Sequence, residues 1–196
     1  MPRMSDRPIL TMPEIEAEAY TQALRAAEVV LEYGSGGSTV LAAEMGKTVI
    51  SVESDAKWLD DLRGWFDRHP PKGHLVLHHA DIGPTEKWGM PAGPKAFRRF
   101  PGYALEIWDH PQFRHPDLVL IDGRFRIACL LATAFRITRP VTALIDDYGL
   151  REAYHGVEAM FKPVALHGRM AEFHLHPTPI PAEQLAWVMG WFLKPH

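Results

Sequence analysis

Residues 31–40 read LEYGSGGSTV, and the apolar pair Val29-Val30 runs straight into them. Gly34, Gly36 and Gly37 stand between a strand-like run, EVVLEY, and a helix-like run, STVLAAEM. Glycine takes positive φ readily and lets a ligand approach the backbone with no Cβ in the way. At the end of the first strand of an open α/β sheet, such a turn opens onto the ligand crevice. The following helix N-terminus favours an anion, and Ser38 or Thr39 can cap it.

Outward from this loop the chain alternates. TMPEIEAEAYTQALRAA precedes it as a helix, with Thr11 and Glu14 spaced as a capping box and Pro13 in the first turn. Gly46 is placed to end the helix after the loop. KTVISVE is a second strand, and DAKWLDDLRGWFDRH is an amphipathic helix with Trp58, Leu59, Leu62 and Phe66 at helical spacing. GHLVLHHAD, PDLVLIDG and VTALIDDY are three more strands. IACLLATAFRI and LREAYHGVEAMF are helices. Strands this continuously apolar belong to a parallel sheet covered on both faces. KPVALHGRMAEFHLHP closes the series as an antiparallel hairpin turning at His167-Gly168. The expectation is an α/β three-layer sandwich with a mostly parallel seven-stranded sheet. It forms one domain over residues 1–196.

Residues 83–116 interrupt the pattern where a helix is due. A stretch this long is a functional lid or a disordered insert. Its aromatics, Trp88, Phe97, Phe100, Tyr103, Trp108 and Phe113, argue for a folded cap over the carboxyl ends of the strands. The tail, residues 181–194, carries Leu185, Val188, Trp191 and Phe192 as one helical stripe with Trp187 beside it. That stripe must dock on its own domain or on a second subunit, making a homodimer.

The 196 residues, 46% of them hydrophobic, suffice for one sizeable core. A formal net charge of −3 gives no broad basic surface, so nucleic acid is not an expected partner. A lone Cys129 inside an apolar helix precludes an intrachain disulfide and reads as a buried small hydrophobe. No signal core and no membrane-length apolar run occur, so the expected location is cytoplasmic, away from membranes.

The loop's ligand is narrowed by spacing. The dinucleotide fingerprint counted from Gly34 needs Gly or Ala in sixth place, where Thr39 stands. Counted from Glu32, the stretch reads acid-x-Gly-x-Gly, and that carboxylate suits an ammonium-bearing ligand better than a pyrophosphate. Glu53, ending the second strand, can accept both hydroxyl protons of a ribose. Asp81, after the third strand, can meet an adenine amino group.

With EYGSGG, SVESD, HHADI and DLVLIDG in order at successive strand ends, the chain resembles the class I S-adenosylmethionine-dependent methyltransferases from about Val29 to His176. The resemblance implies a Rossmann-like fold and S-adenosylmethionine as cofactor, with S-adenosylhomocysteine as product. It implies donor contacts at Glu32, Gly34, Ser35 and Gly36, ribose binding at Glu53, and adenine contacts at Ser54, Asp81 and Ile82. It implies methyl transfer to an unidentified acceptor, such as O-methylation of a small molecule. A donor-binding interaction protein without transferase activity shares the same pattern.

Candidate catalytic groups follow strands four and five: Asp122, Arg124, Asp146, Asp147 and Tyr148. The resemblance also raises magnesium, since some small-molecule members hold it with acids at these places. Arg124 stands where another acid would follow in that branch. The expectation is a metal-free site with Arg124 paired to one strand-end aspartate and Asp146 free to orient or deprotonate the acceptor. Arg98, Arg99, Arg124 and Arg126 are candidates to meet an anionic substrate or to balance nearby carboxylates. His74 and His78 are expected to be structural.

Overall fold

In the computed structural model, which describes residues 6–195, the glycine loop joins β1 (Val29–Tyr33) to α2 (Gly37–Glu44). Before it lies α1 (Glu14–Ala26); after it come β2 (Thr48–Glu53), α3 (Ala56–Arg68) and β3 (Leu75–His79). The second half supplies α4 (Phe100–Leu105), β4 (Leu118–Ile121), α5 (Arg126–Arg136), β5 (Val141–Ile145), the hairpin strands β6 (Ala165–His167) and β7 (Met170–Leu175), and α6 (Leu185–Trp191). The sheet order is β3-β2-β1-β4-β5-β7-β6. The first five strands are parallel, and β7 runs antiparallel to both its neighbours.

The apolar strands are explained by two cores, one per face. Val30, Val49, Leu118, Leu120 and Leu144 pack on one side with Tyr20 and Leu24 of α1, Val40 of α2 and Leu62, Trp65 and Phe66 of α3. The alternate residues Leu31, Ile50, Val119, Ile121 and Ala143 pack on the other with α4, α5 and α6. A strand whose successive side chains enter two different cores has no polar face. The expected three-layer Rossmann-like architecture is therefore present. No helix among the described residues is long and apolar enough to cross a membrane.

Local readings differ from the structure in several places. Helix α1 begins after Pro13, which sits at the N-cap with ψ 163°, and no side chain caps it. Proline disfavours helical geometry in the preceding Met12, which leaves Thr11 outside the helix, and the capping box does not form. On α3 the buried stripe is Leu59, Leu62, Trp65 and Phe66, whereas Trp58 is turned from the core. The helix expected after β5 is instead two 3-10 segments, Tyr148–Leu150 and Glu152–Ala159. The buried residues of the second, Tyr154 and Val157, are three apart, which fits three residues per turn. The hairpin turns at Gly168-Arg169, one residue later than expected, with Gly168 at φ 59°.

Residues 83–116 fold as short helical pieces. The 3-10 turns Lys87–Gly89, Pro94–Arg99 and Glu106–Asp109 flank α4. Phe100, Tyr103 and Trp108 are buried in the α5-side core, while Trp88 and Phe97 are exposed. Tyr33 of β1 anchors this segment: its hydroxyl donates to the Ala104 carbonyl at 2.9 Å and accepts from Trp108 Nε1 at 2.9 Å. In the tail, Val188, Trp191 and Phe192 are buried against the α5-side core, but Leu185 lies off that stripe and is exposed.

Candidate functional site

The sheet order reverses between β1 and β4, the place where open α/β sheets carry their ligand crevice, and the loops after these two strands meet there. They touch: Gly34 has φ 101°, and a Cβ placed on it would lie 2.7 Å from the Gly123 amide nitrogen. Both the conformation and the contact require glycine. A Cβ on Gly36 would meet nothing within 4 Å, so the loop presents bare backbone to open space. Trp58 closes the side of this loop, with Nε1 donating to the Ser35 carbonyl at 2.7 Å.

Glu32 does not face that space. Its carboxylate is fully buried and accepts hydroxyl bonds from Ser38, from Thr39 at 2.5 Å and from Ser51 at 2.9 Å. Burial raises its pKa to about 7, against the opposing pull of the three hydroxyls. The expected direct contact between Glu32 and a ligand ammonium is thus corrected: Glu32 braces the loop from below. Ser38 and Thr39 do not act as N-caps, since Gly36 holds that position, although Thr39 Oγ1 accepts from the Gly36 amide at 2.8 Å.

Glu53 comes closer to the expected place. Its Oε2 accepts from the Ser35 amide at 3.2 Å, linking β2 to the glycine loop. Its Oε1 accepts from the amides of Ser54 at 2.7 Å and Asp55 at 2.9 Å. Burial raises its pKa although those amides favour the anion. With one donor on Oε2, lone-pair capacity remains for a ligand hydroxyl. Asp81 is exposed; the Gly83 amide at 2.9 Å, and after it Arg99 at 2.8 Å, lower its pKa. Ile82 beside it is buried. These residues fit a nucleoside: bare loop backbone, a strand-end carboxylate and an apolar side chain lie in sequence around one edge.

A strap crosses the same place. The Ser54 hydroxyl donates to the Gly89 carbonyl at 2.9 Å, and Arg124 Nε donates to the Trp88 carbonyl at 3.0 Å. A Cβ on Gly89 would approach Glu53 Oε1 to 3.0 Å. Trp88 itself has φ 65° and an exposed indole, a backbone state costly for a bulky residue. Nothing in the sequence pattern marked these two carbonyls as latches.

The far lip of the crevice carries the strand-end carboxylates. Arg126 is buried; it donates to Asp122 Oδ1 at 3.1 Å and lies 3.2 Å from Asp147. Arg169, in the hairpin turn, grips both oxygens of Asp146 at 3.1 and 3.0 Å and pairs with Asp147 at 3.0 Å. Arg151 adds a contact to Asp147 at 3.3 Å. The expected pairing of Arg124 with a strand-end aspartate is therefore replaced: Arg126 and Arg169 do this work, and Arg124 turns to the strap. Asp146 is also not free. Although burial opposes it, the Arg169 clamp lowers its pKa. Asp122 differs, because burial raises its pKa to about 7, opposed by Arg126 and assisted by Asp146 and Asp147. Arg169 was invisible to sequence reasoning, since only strand pairing brings it to β5. Tyr103, read from the sequence only as a cap aromatic, is brought by α4 to the loop after β4, where its hydroxyl accepts from the Arg124 amide at 3.2 Å. Among the described residues no cluster of three or more metal-ligating side chains occurs. Cys129 is buried, which pushes its thiol well above the ordinary range and leaves it inert.

No family model and no curated protein sequence matches the chain. Among solved structures, a methyltransferase-like protein from Silicibacter pomeroyi is 49% identical, with a TM-score of 0.92 over 96% of this chain and 99% of that one. A methyltransferase from Geobacter sulfurreducens, 11% identical, superposes with a TM-score of 0.52 over 86% of this chain and 82% of its own. A cofactor-bound protein from MTB, 17% identical, gives 0.54 over 88% and 84%. The last two are likenesses of fold.

Proposed function

Because the chain belongs to the class I S-adenosylmethionine-dependent methyltransferases, we propose that it binds S-adenosylmethionine along Gly34–Gly36, Glu53, Ser54 and Ile82 and methylates an oxygen of a small-molecule acceptor. The observation that carries this reading is the convergence, at one strand-order reversal, of a bare glycine loop with Glu53 on one lip and Asp122 on the other. When bound, the donor supplies an already activated sulfonium methyl. The protein's own contribution is alignment, exclusion of water and proton handling.

Each residue then has a role that its surroundings permit. Glu53 Oε2 accepts from the ribose, and the glycine loop lets the donor lie against the backbone. Asp81, at the rim, accepts from the adenine amino group. Asp122 holds or takes the acceptor's proton, since its pKa near 7 balances basicity against occupancy of the charged form. Asp146 and Asp147, locked by Arg169, position Asp122 rather than react. Residues 86–90 must give way for the ribose to reach Glu53, because Gly89 now lies against that carboxylate.

Thermal unfolding with millimolar S-adenosylmethionine, S-adenosylhomocysteine or NAD tests the reading. Both sulfur nucleosides raise Tm by mass action and NAD does not. No shift with either one sinks the proposal. A binding protein without transferase activity would show the same shifts but give no S-adenosylhomocysteine with any acceptor.

A further inference from the structure

Four of the arginines around the crevice are matched by carboxylates, and Arg124 is not. Arg99 is held by Asp81, Arg126 by Asp122 and Asp147, Arg151 by Asp147, and Arg169 by Asp146 and Asp147. Arg124 makes no ion pair with any described residue; its one side-chain hydrogen bond is Nε to the Trp88 carbonyl. Its neighbours do not compensate. Burial and the adjoining cations Arg126 and Arg151 all weaken its hold on its proton. A half-buried guanidinium facing like charges is costly unless an anion completes it.

Arg124 is also in the right place. Gly123, the residue before it, packs on Gly34 of the glycine loop, and the Arg124 amide itself donates to the Tyr103 hydroxyl at 3.2 Å. The backbone on both sides is therefore fixed at the junction of donor lip and acceptor lip. Its one partner, the Trp88 carbonyl, lies in residues 86–90, which give way to the donor, so donor binding frees the whole guanidinium, whose fork geometry suits two oxygens of one oxyanion. Asp122 and Asp146 do not compete for it, because Arg126 and Arg169 already neutralise them.

Resting on the methyltransferase reading, we propose that the acceptor is an anionic small molecule whose carboxylate or phosphate is clamped by Arg124, which holds the nucleophile over the glycine loop. The clamp selects against neutral acceptors, since an uncharged isostere would leave the guanidinium unmatched.

The test is calorimetric. The protein, saturated with S-adenosylhomocysteine, is titrated with inorganic phosphate and, separately, with acetate, ionic strength being held constant with chloride. One saturable anion site per chain is expected, and the tighter of the two probes identifies the headgroup. In Arg124→Gln that affinity falls by about tenfold or more, the loss of a charge-assisted bidentate contact. Arg124→Lys retains part of it, and Arg114→Gln, an exposed control, retains all. S-adenosylhomocysteine affinity is measured on the same samples. Normal nucleoside binding with no saturable anion site, or an anion site unchanged in Arg124→Gln, overturns the clamp alone. Absence of nucleoside binding overturns the methyltransferase reading beneath it. Should Arg124→Gln not fold, phenylglyoxal labelling of the wild type replaces it. Phosphate or acetate must then slow modification of Arg124 and leave Arg25 unaffected; equal rates refute the clamp.

Discussion

The two lips of the crevice are built by opposite strategies. On the donor lip the decisive groups are close in sequence: Glu32, Gly34, Ser38 and Thr39 lie within one strand-turn-helix unit, and Glu53 is one strand away. Hydroxyls and amides, not cations, satisfy both carboxylates, and burial leaves each with a raised pKa. On the acceptor lip three aspartates are met by arginines from α5, from the segment after β5 and from the hairpin turn. Neutral, local bracing gives a rigid cradle. Assembled charge gives a site whose protonation depends on how each arginine meets its carboxylate. Asp122 shows this: it has one arginine where Asp146 has a bidentate clamp, and their pKa values move apart.

The largest effect that sharpens this contrast belongs to Asp122→Asn. Loss of this proposed general base should lower kcat by about 10²–10⁴-fold and remove the rise in rate through neutral pH. Steady-state kinetics against pH check it, and S-adenosylhomocysteine affinity should stay within about twofold. An equal loss of donor affinity would erase the division between the lips.

Glu32→Gln should act on stability alone. In the folded chain Glu32 holds its proton up to about pH 7, whereas its unfolded value is 4.5. Its stabilising contribution is therefore present below 4.5 and lost as pH rises through about 7. Chemical denaturation between about pH 5 and pH 8 should show wild type losing about 2–3 kcal/mol more than Glu32→Gln. Parallel curves would mean that the carboxylate is ionised throughout.

A smaller effect is expected at Trp58→Phe, which removes the bond to the Ser35 carbonyl. Donor affinity should weaken by about 1 kcal/mol with stability nearly unchanged, because the indole is turned from the core. Calorimetry with S-adenosylhomocysteine decides it; loss of stability without loss of affinity would make Trp58 a packing residue only.

The same contrast explains what could be read in advance. The succession of strands and helices, the parallel sheet and the final hairpin follow from apolar runs, and the glycine loop and Glu53 follow from local spacing. What escaped reading depends on where side chains meet across the fold. Arg124 and Arg126 are two residues apart on the chain, and nothing local says that the second takes the carboxylates while the first turns to Trp88. Arg169 reaches Asp146 because β7 pairs with β5. Trp58 fits a helical stripe equally well on paper, yet Trp65 fills the core.

The central claim, that the glycine loop and Glu53 form the donor seat, is tested most directly by calorimetric titration of S-adenosylhomocysteine into wild type and Glu53→Ala. The account predicts one site per chain and an affinity loss of about 1.5–3 kcal/mol in the variant, the value of hydrogen bonds to a charged acceptor. Wild-type binding that persists unchanged in Glu53→Ala, with the variant folded, would contradict it.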